Sequence, residues 1–194
     1  MENANISKKS GIIVFGAPGA GTSTVGRALA NGLGYAHIET DDICGEAIDI
    51  PPFRVSYATI ERISRLNATI EKCSAFVISG SMLGWGDSFI PLFDLAVFIT
   101  TPTNIRVERL EQREKERHGE RICVGGDMYE RHKWFVEWAK TYDTDNPDRS
   151  LILHEKWIDT LLCPVIRING ALPVAGIVAQ VKKHINISEA VKHE

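Results

Sequence analysis

Eight residues constrain this chain more than any others: Gly16-Ala17-Pro18-Gly19-Ala20-Gly21-Thr22-Ser23, set directly after the apolar run Gly11–Phe15. A continuous apolar run of this kind reads as a buried parallel strand. Ser23–Leu33, ended by Gly34, reads as a helix. Between them, glycines let the backbone curl and aim its N–H groups inward around an anion. The start of the helix adds the positive end of its dipole. The spacing fits the phosphate-binding pattern G-x-x-x-x-G-K-[ST] at every fixed position except the lysine, which is Thr22. Gly16, Ala17, Pro18, Gly19, Ala20, Gly21, Thr22, Ser23 and Thr24 are therefore expected to bind a nucleoside triphosphate, ATP, with the Ser23 hydroxyl on Mg²⁺. The alternative is a glycine-rich turn that binds nothing, and the strand–turn–helix context weighs against it. A cation acting on the transferred phosphates is worth ~10³–10⁵ in rate, or roughly 4–7 kcal/mol. Either another cation replaces the lysine, or the chain binds nucleotide without fast chemistry.

Beyond the loop, short apolar runs alternate with helical stretches, the pattern of a parallel α/β sheet. Strands are expected at Gly11–Phe15, Tyr35–Ile38, Ala75–Ile78, Leu95–Ile99 and Val165–Ile168, in spatial order 2-3-1-4-5 with helices on both faces. Helices are expected at Ala58–Lys72, Asn104–Arg117, Tyr129–Tyr142, Asp148–Leu161 and Val174–Ile187. In the first of these, Ile60, Ile63, Leu66 and Ile70 share a face by 3–4 spacing. Trp134, Phe135 and Trp138 are the expected packing face of Tyr129–Tyr142. The first ten residues and those after Ile187 read as frayed ends.

The chain of 194 residues suits a single domain, residues 1–194, with a lid or insert near 105–150. A formal charge of −3 offers no basic field, so no nucleic-acid partner is expected. Cys44, Cys73, Cys123 and Cys163 are too scattered for a zinc site or a disulfide scaffold and read as reduced thiols. The apolar run at the first strand is too short to cross a membrane or to direct export. A cytoplasmic protein without a membrane partner is the expectation.

With these segments the chain resembles the P-loop nucleoside monophosphate kinase superfamily, which includes adenylate, cytidylate, shikimate and gluconate kinases. Some archaeal cytidylate kinases look similar in carrying Gly-Thr where others have Gly-Lys. Val107-Glu108-Arg109-Leu110-Glu111-Gln112-Arg113 is similar to the lid-entry helix of adenylate kinases, with two arginines four apart on one face. The resemblance implies that Arg109 stacks near adenine and Arg113 reaches phosphate, with Arg117 or Arg121 as further lid cations. Ile168 to Ala175 is similar to the final turn of adenylate kinases, with Asn169 in place of an aspartate. It implies that backbone atoms of Ala171 and Leu172 meet the adenine edge. Glu39-Thr40-Asp41-Asp42 looks like the D-x-D segment of shikimate-type kinases, with Glu39 for the first aspartate. That segment closes a parallel strand at its carboxyl end, where α/β proteins bind ligands. Each likeness has a plain alternative: a solvated charged helix, a Pro-started helix turn, and a helix cap.

Several features depart from the superfamily. The third strand ends in Ser79-Gly80-Ser81, with no carboxylate. Met82–Pro91 and the long, aromatic Gly119–Leu162 match no named substrate site. The acceptor side contains Pro51-Pro52-Phe53-Arg54, where Arg54 suits a phosphate or carboxylate, or is simply a surface arginine. Asp42 and Trp85 are the other substrate-side candidates, and Trp85 reads equally well as core. Ser23 and Asp41 are the expected metal pair. Asp41, Arg109 and Arg113 are the expected catalytic set, with Asp41 taking the proton of an alcohol acceptor. The leading expectation is an ATP-dependent small-molecule kinase. A nucleoside monophosphate kinase proper and a nucleotide-binding module with little turnover remain open beside it.

Overall fold

The computed structural model describes residues 9–51, 54–144 and 146–191. In chain order the elements are β1 (Ser10–Gly16), α1 (Thr22–Leu33), β2 (Ala36–Glu39), α2 (Thr40–Cys44), β3 (Gly45–Ala47), β4 (Arg54–Ser56), α3 (Thr59–Ile70), β5 (Ala75–Ser79), β6 (Leu95–Thr100), α4 (Thr103–His118), α5 (Tyr129–Lys140), α6 (Leu151–Ile158), β7 (Val165–Asn169) and α7 (Val174–Val191). Short 3₁₀ turns lie at Asp87–Leu92, Gly119–Ile122 and Thr141–Asp143.

The main sheet is five-stranded and parallel, in the order β2-β5-β1-β6-β7. This is the expected 2-3-1-4-5 arrangement, with β1 at the centre feeding the phosphate loop. Strict alternation along β1 explains the three layers. Ile12 and Val14 point to one face, where Val25 and Leu29 of α1 and Ile177 and Val181 of α7 cover them. Ile13 and Phe15 point to the other, against Leu66 and Ile70 of α3 and Trp157 of α6. Among the described residues, no helix is long and apolar enough to cross a membrane.

The structure departs from the sequence expectations in several places. Thr40–Cys44 is a short helix, and Gly45–Ala47 pairs antiparallel with Arg54–Ser56 as a small separate hairpin. Strands this short carry no readable alternation. Pro52 and Phe53, in the segment expected on the acceptor side, lie outside the described residues, as do the first eight. The closing helix runs on to Val191 rather than fraying after Ile187. Ile60 is 77% exposed because it falls in the first turn of α3, before the helix reaches the sheet. The aromatic face of α5 is likewise not its packing face: Val136 and Ala139 are buried, while Trp134 is 64% exposed.

A fully buried arginine explains that choice of face. Arg106 of α4 donates from Nε to Thr101 O (3.0 Å) and from Nη1 to Ala139 O (3.1 Å) and Pro18 O (3.4 Å). Its Nη2 reaches Thr103 Oγ1 (2.9 Å) and Asp143 Oδ2 (2.7 Å). Only small residues such as Ala139 let the backbone of α5 come close enough to accept one of these bonds. A guanidinium so completely satisfied is tolerated in the core, but removing it strands its partners.

A second polar network lies under the same end of the sheet. His154 is wholly buried, with Nδ1 2.7 Å from the Tyr142 hydroxyl and Nε2 3.0 Å from Ser81 Oγ. The two hydroxyls can each give or take a proton, so a neutral imidazole satisfies the set in either tautomer. Burial, aided by the Arg149 charge, holds the His154 pKa down to about 3.

Two outcomes follow from these networks. Arg106→Met should lower unfolding free energy by about 3 kcal/mol or more, read from urea denaturation. A histidine depressed in the folded state is neutral there but takes a proton when the chain unfolds below its ordinary pKa of about 6.5. Stability should therefore fall as pH drops from about 6.5 towards 3, with about 2 kcal/mol lost between pH 7 and pH 5. The His154→Gln variant should lack this component of the pH dependence when urea midpoints are compared across the range.

Candidate active site

The loop between β1 and α1 is shaped by positive backbone angles, φ 79° at Gly19 and φ 98° at Gly21. A side chain at Gly19 would run into Arg106 O at 2.5 Å and Leu110 Cγ at 2.9 Å, so α4 lies tight against the outer side of the loop. Ala20 N donates to Ala17 O (3.0 Å), which closes the turn. Helix α1 then starts with no side-chain cap. The N–H groups of its first turn, at Thr22, Ser23 and Thr24, are thereby left for an anion. The hydroxyls of Thr22 and Ser23 add two oxygen groups at the same end.

Arg109 of α4 is a cation lying beside Gly21, the residue before the position where the lysine is missing. Its Nη1 lies 3.7 Å from where a Gly21 Cβ would be, and the same atom donates to Gly170 O (3.0 Å). One guanidinium thus bridges the phosphate loop and the β7–α7 turn. In that turn Ala171 N is taken by Asn169 Oδ1 (2.9 Å) and Leu172 N by Asn169 O (3.3 Å). With those N–H groups used internally, the exposed Ala171–Leu172 backbone has carbonyl acceptors to offer a ligand.

Opposite the loop, the end of β2 places a carboxylate against Ser23. Glu39 accepts a hydrogen bond from Ser79 Oγ (3.1 Å), and the Ser23 hydroxyl lies close enough to favour its charged form. His37 Nε2 lies 2.7 Å from the same Ser79 oxygen. Since the Ser79 proton goes to the carboxylate, His37 donates from Nε2. Burial raises the Glu39 pKa, against the pull of the two serines and with the Asp41 and Asp42 charges adding to the rise. A hydroxyl and a carboxylate facing each other beside a phosphate loop form an oxygen donor set suited to Mg²⁺, which takes one or two protein oxygens and completes its shell with water and phosphate. No cluster of three or more metal-binding side chains occurs among the described residues.

Asp41 and Asp42 are exposed on α2, one residue beyond the buried Thr40. Thr40 itself packs on Gly80 at φ 110°, where any side chain would collide with the Thr40 hydroxyl. Asp41 lines a cleft of about 1020 Å³ that runs between the β3–β4 hairpin and α4–α5. Five arginines face it (Arg54, Arg113, Arg117, Arg121 and Arg131) against three carboxylates, and Trp134, Phe135 and Trp138 form one wall. Arg54 Nη2 donates to Asp41 O, tying the hairpin to α2. Arg113 does not join Arg109 at the phosphate loop: it is bound to Glu114 Oε1 (2.9 Å) and lies 6.0 Å from the Phe135 ring centre. Arg121 is held by Asp127 on the same rim. A smaller cavity of about 430 Å³ opens beside Ala17, between the ends of β6 and β7 and Tyr142.

Trp85 requires a correction. It is 7% exposed, packs edge-on against Phe89 and borders neither cavity, so it serves the core and not a ligand. Three residues are missing from the sequence-derived site. Glu39 was visible in the acidic segment, but its contact with Ser23 depends on the β2–β5 pairing. Arg106 gave no signal because it sits in a charge-rich helix like any solvated arginine. Arg149, half-buried 5.6 Å from the Trp138 ring centre and within electrostatic reach of Asp41, fell inside the expected helix Asp148–Leu161 with nothing to mark it, and the helix itself starts only at Leu151.

Comparison with known proteins places the fold. A family model described as an AAA domain matches residues 12–133. The uncharacterized protein YqaC of Bacillus subtilis (strain 168) is 39% identical over 161 residues, covering 82% of this chain and 88% of its own. Among solved structures, a shikimate kinase from Acinetobacter baumannii in complex with shikimate aligns at TM-score 0.55 and 17% identity, covering 94% of this chain and 96% of its own. A deoxyadenosine kinase from M. mycoides with bound dATP aligns at TM-score 0.55 and 13% identity, covering 91% and 99%. At these identities the two likenesses show the fold, that of P-loop kinases.

The crowded Glu39 carboxylate has a measurable consequence. With its folded pKa raised, the folded state keeps this proton longer than the unfolded chain, so stability is highest below that pKa and declines as pH rises through it. In metal-free buffer, Glu39→Gln should be at least as stable as the parent at pH 7, and its relative advantage should shrink at pH 4. Urea midpoints at both pH values check this, and a variant less stable at pH 7 would contradict it.

Proposed function

The chain belongs to the AAA domain family, and from that premise, its uncapped phosphate loop and its acidic strand end we propose an ATP-dependent kinase that moves the γ-phosphoryl group to a small acceptor. The observation that carries this reading is Arg109, whose guanidinium already lies against Gly21 where the expected lysine is absent. A planar guanidinium with five donors is well matched to phosphate oxygens. Its second contact, on Gly170 O, fixes it from the turn expected to meet the nucleotide base.

In this reading the N–H groups from Gly21 to Thr24 hold the phosphates, and the Ala171 and Leu172 carbonyls accept from the amino group of adenine. Ser23 would hold Mg²⁺ together with Glu39, rather than with Asp41 as the sequence suggested. When bound, the ion neutralises charge on the phosphates. Asp41 is then free, at the edge of the large cleft, to orient an acceptor hydroxyl and take its proton as the new O–P bond forms. Arg113 faces that cleft together with Asp41 and would meet the acceptor or the transferred group from the α4 side. Arg54 and Asp42 would border the acceptor. Catalysis then rests on positioning and charge neutralisation.

Two other readings stand beside it. An acceptor that is itself a phosphate needs no base, and Asp41→Asn would then leave turnover nearly intact. Thr22 favours a binding module with little turnover, for which ATP would bind and no acceptor would release ADP.

A coupled ADP-release screen against nucleotides, nucleosides, sugars and hydroxy acids tests the central reading. With a working acceptor, Arg109→Ala should lower kcat by about 10²-fold or more, roughly 2.7 kcal/mol. Thr22→Lys should partly restore that variant if both side chains put a cation on the same phosphates. Strictly additive effects in the double-mutant cycle would remove Arg109 from the lysine's role.

A further inference from the structure

Strand β5 ends at Ser79 without a carboxylate of its own, and the sheet register brings one in from the neighbouring strand. Parallel pairing sets Glu39 of β2 beside Ser79, and His37 beside Val77. Residues two apart on a strand share a face, so His37 and Glu39 both lie on the side to which Ser79 points. On its other edge Ser79 is paired with Val14 of β1, and Gly80 N donates to Val14 O (3.0 Å). The end of β5 is thereby fixed to the strand that feeds the phosphate loop.

The hydroxyl of Ser79 is wholly buried and has one proton to give. It gives that proton to Glu39 Oε2 (3.1 Å) and accepts one from His37 Nε2 (2.7 Å). An ionised carboxylate can only accept, so the direction of both bonds is set. With Oε2 committed to Ser79, Oε1 is the oxygen left for a cation.

Helix α1 is shaped to admit this pair. Gly26 stands in its interior, where glycine weakens a helix and calls for a reason in packing. A Cβ there would fall 2.7 Å from Ser79 Cβ, 3.2 Å from Ser79 Oγ and 3.3 Å from His37 Nε2. Ser23 lies three residues earlier, on the same side of the helix. The face of α1 that carries the Ser23 hydroxyl towards Glu39 is thus also the face left open for Ser79 and His37.

We propose that Ser79 and His37 are positioning residues for Glu39, which hold its carboxylate towards Ser23 and so aim it at the metal ion of the bound nucleotide. Gly26 is the opening through which they approach. Neither side chain touches the ion; both act through Glu39. Two neighbouring strands then share one task, β2 supplying the charge and β5 its direction. The proposal goes beyond the kinase reading and rests on one part of it, the assignment of Mg²⁺ to Ser23 and Glu39.

The test is calorimetry of a non-hydrolysable ATP analogue on the full chain, once in EDTA and once in saturating Mg²⁺. The ratio of the two affinities reads how well the protein holds the ion, and no turnover enters it. The parent should bind more tightly with Mg²⁺, and Glu39→Gln should lose that gain. Ser79→Ala should reduce the gain by about tenfold, the scale on which outer partners of metal ligands act, with its affinity in EDTA unchanged. Because Ser79 is buried, the half-exposed His37 provides an independent check. His37→Leu should reduce the gain as well, and His37→Gln, whose amide can still donate to Ser79, should restore it. Full gain in both Ser79→Ala and His37→Leu, with loss in Glu39→Gln, would overturn the proposal and leave the metal assignment standing. Equal weakening in EDTA and Mg²⁺ would reduce the pair to a structural role and overturn it too. No gain in the parent, or no effect of Glu39→Gln, would overturn the metal assignment and the proposal together. The expected pattern in a chain that releases no ADP with any acceptor would overturn the kinase reading alone.

Discussion

Arg106 holds together the parts of this molecule that must not move relative to one another. A single guanidinium with no exposed surface reaches the phosphate loop through Pro18, the end of β6 through Thr101, helix α5 through Ala139 and the following turn through Asp143. In water each of these bonds would contribute little, because solvent competes for every donor. Inside the fold the competitor is gone, and the alternative to the native arrangement is a buried charge with no partners. The position of α4 is therefore fixed with respect to the loop, and with it the place of Arg109 one turn along the same helix. Arg106 has no exposed surface and acts through what it positions.

That arrangement also gives a physical sense to Thr22. A P-loop lysine extends from the helix that follows the loop and carries its charge inward on a flexible stem. Arg109 approaches from a different helix, across the loop, with its planar head already pinned on Gly170 O. Less side-chain entropy would remain to be lost on meeting a phosphate there. On the other side Glu39, crowded by burial and by Asp41 and Asp42, is a carboxylate for which a cation would be a relief. The loop thus lies between a fixed positive group and an under-neutralised negative one, the polarity that a phosphate chain with its metal requires.

Much of this was legible in the sequence because it is written in local signals. The strand–loop–helix unit rests on glycine spacing, and the order of the main sheet on alternation of apolar runs with helices. The remainder depends on contacts between residues far apart in the chain. Glu39 meets Ser23 only once β2 pairs with β5. Arg106 and Arg109 are three residues apart in one charged helix, and nothing in their neighbourhood tells that the first is buried and the second lies on the loop. The aromatic residues of α5 were misassigned for a related reason. Periodicity identifies an apolar face but not what that face opens onto, and a cleft lined by arginines is invisible until α4 and α5 are placed. Trp85 is the converse case, an isolated ring in an unassigned loop whose burial follows from Met82, Phe89 and Ile90 packing around it.

The β3–β4 hairpin pairs only with itself and is joined to the rest of the cleft through Arg54 on Asp41 O and Arg121 on Asp49. None of its strands contributes to the central sheet. The segment from Gly45 to Ser56 is in this sense an exchangeable panel: its length and side chains can drift between relatives without disturbing the register of a single strand that carries the phosphate loop. A scaffold built this way separates inheritance from innovation. The strands that carry the phosphate loop are held by packing, while this wall of the cleft is free to be rewritten.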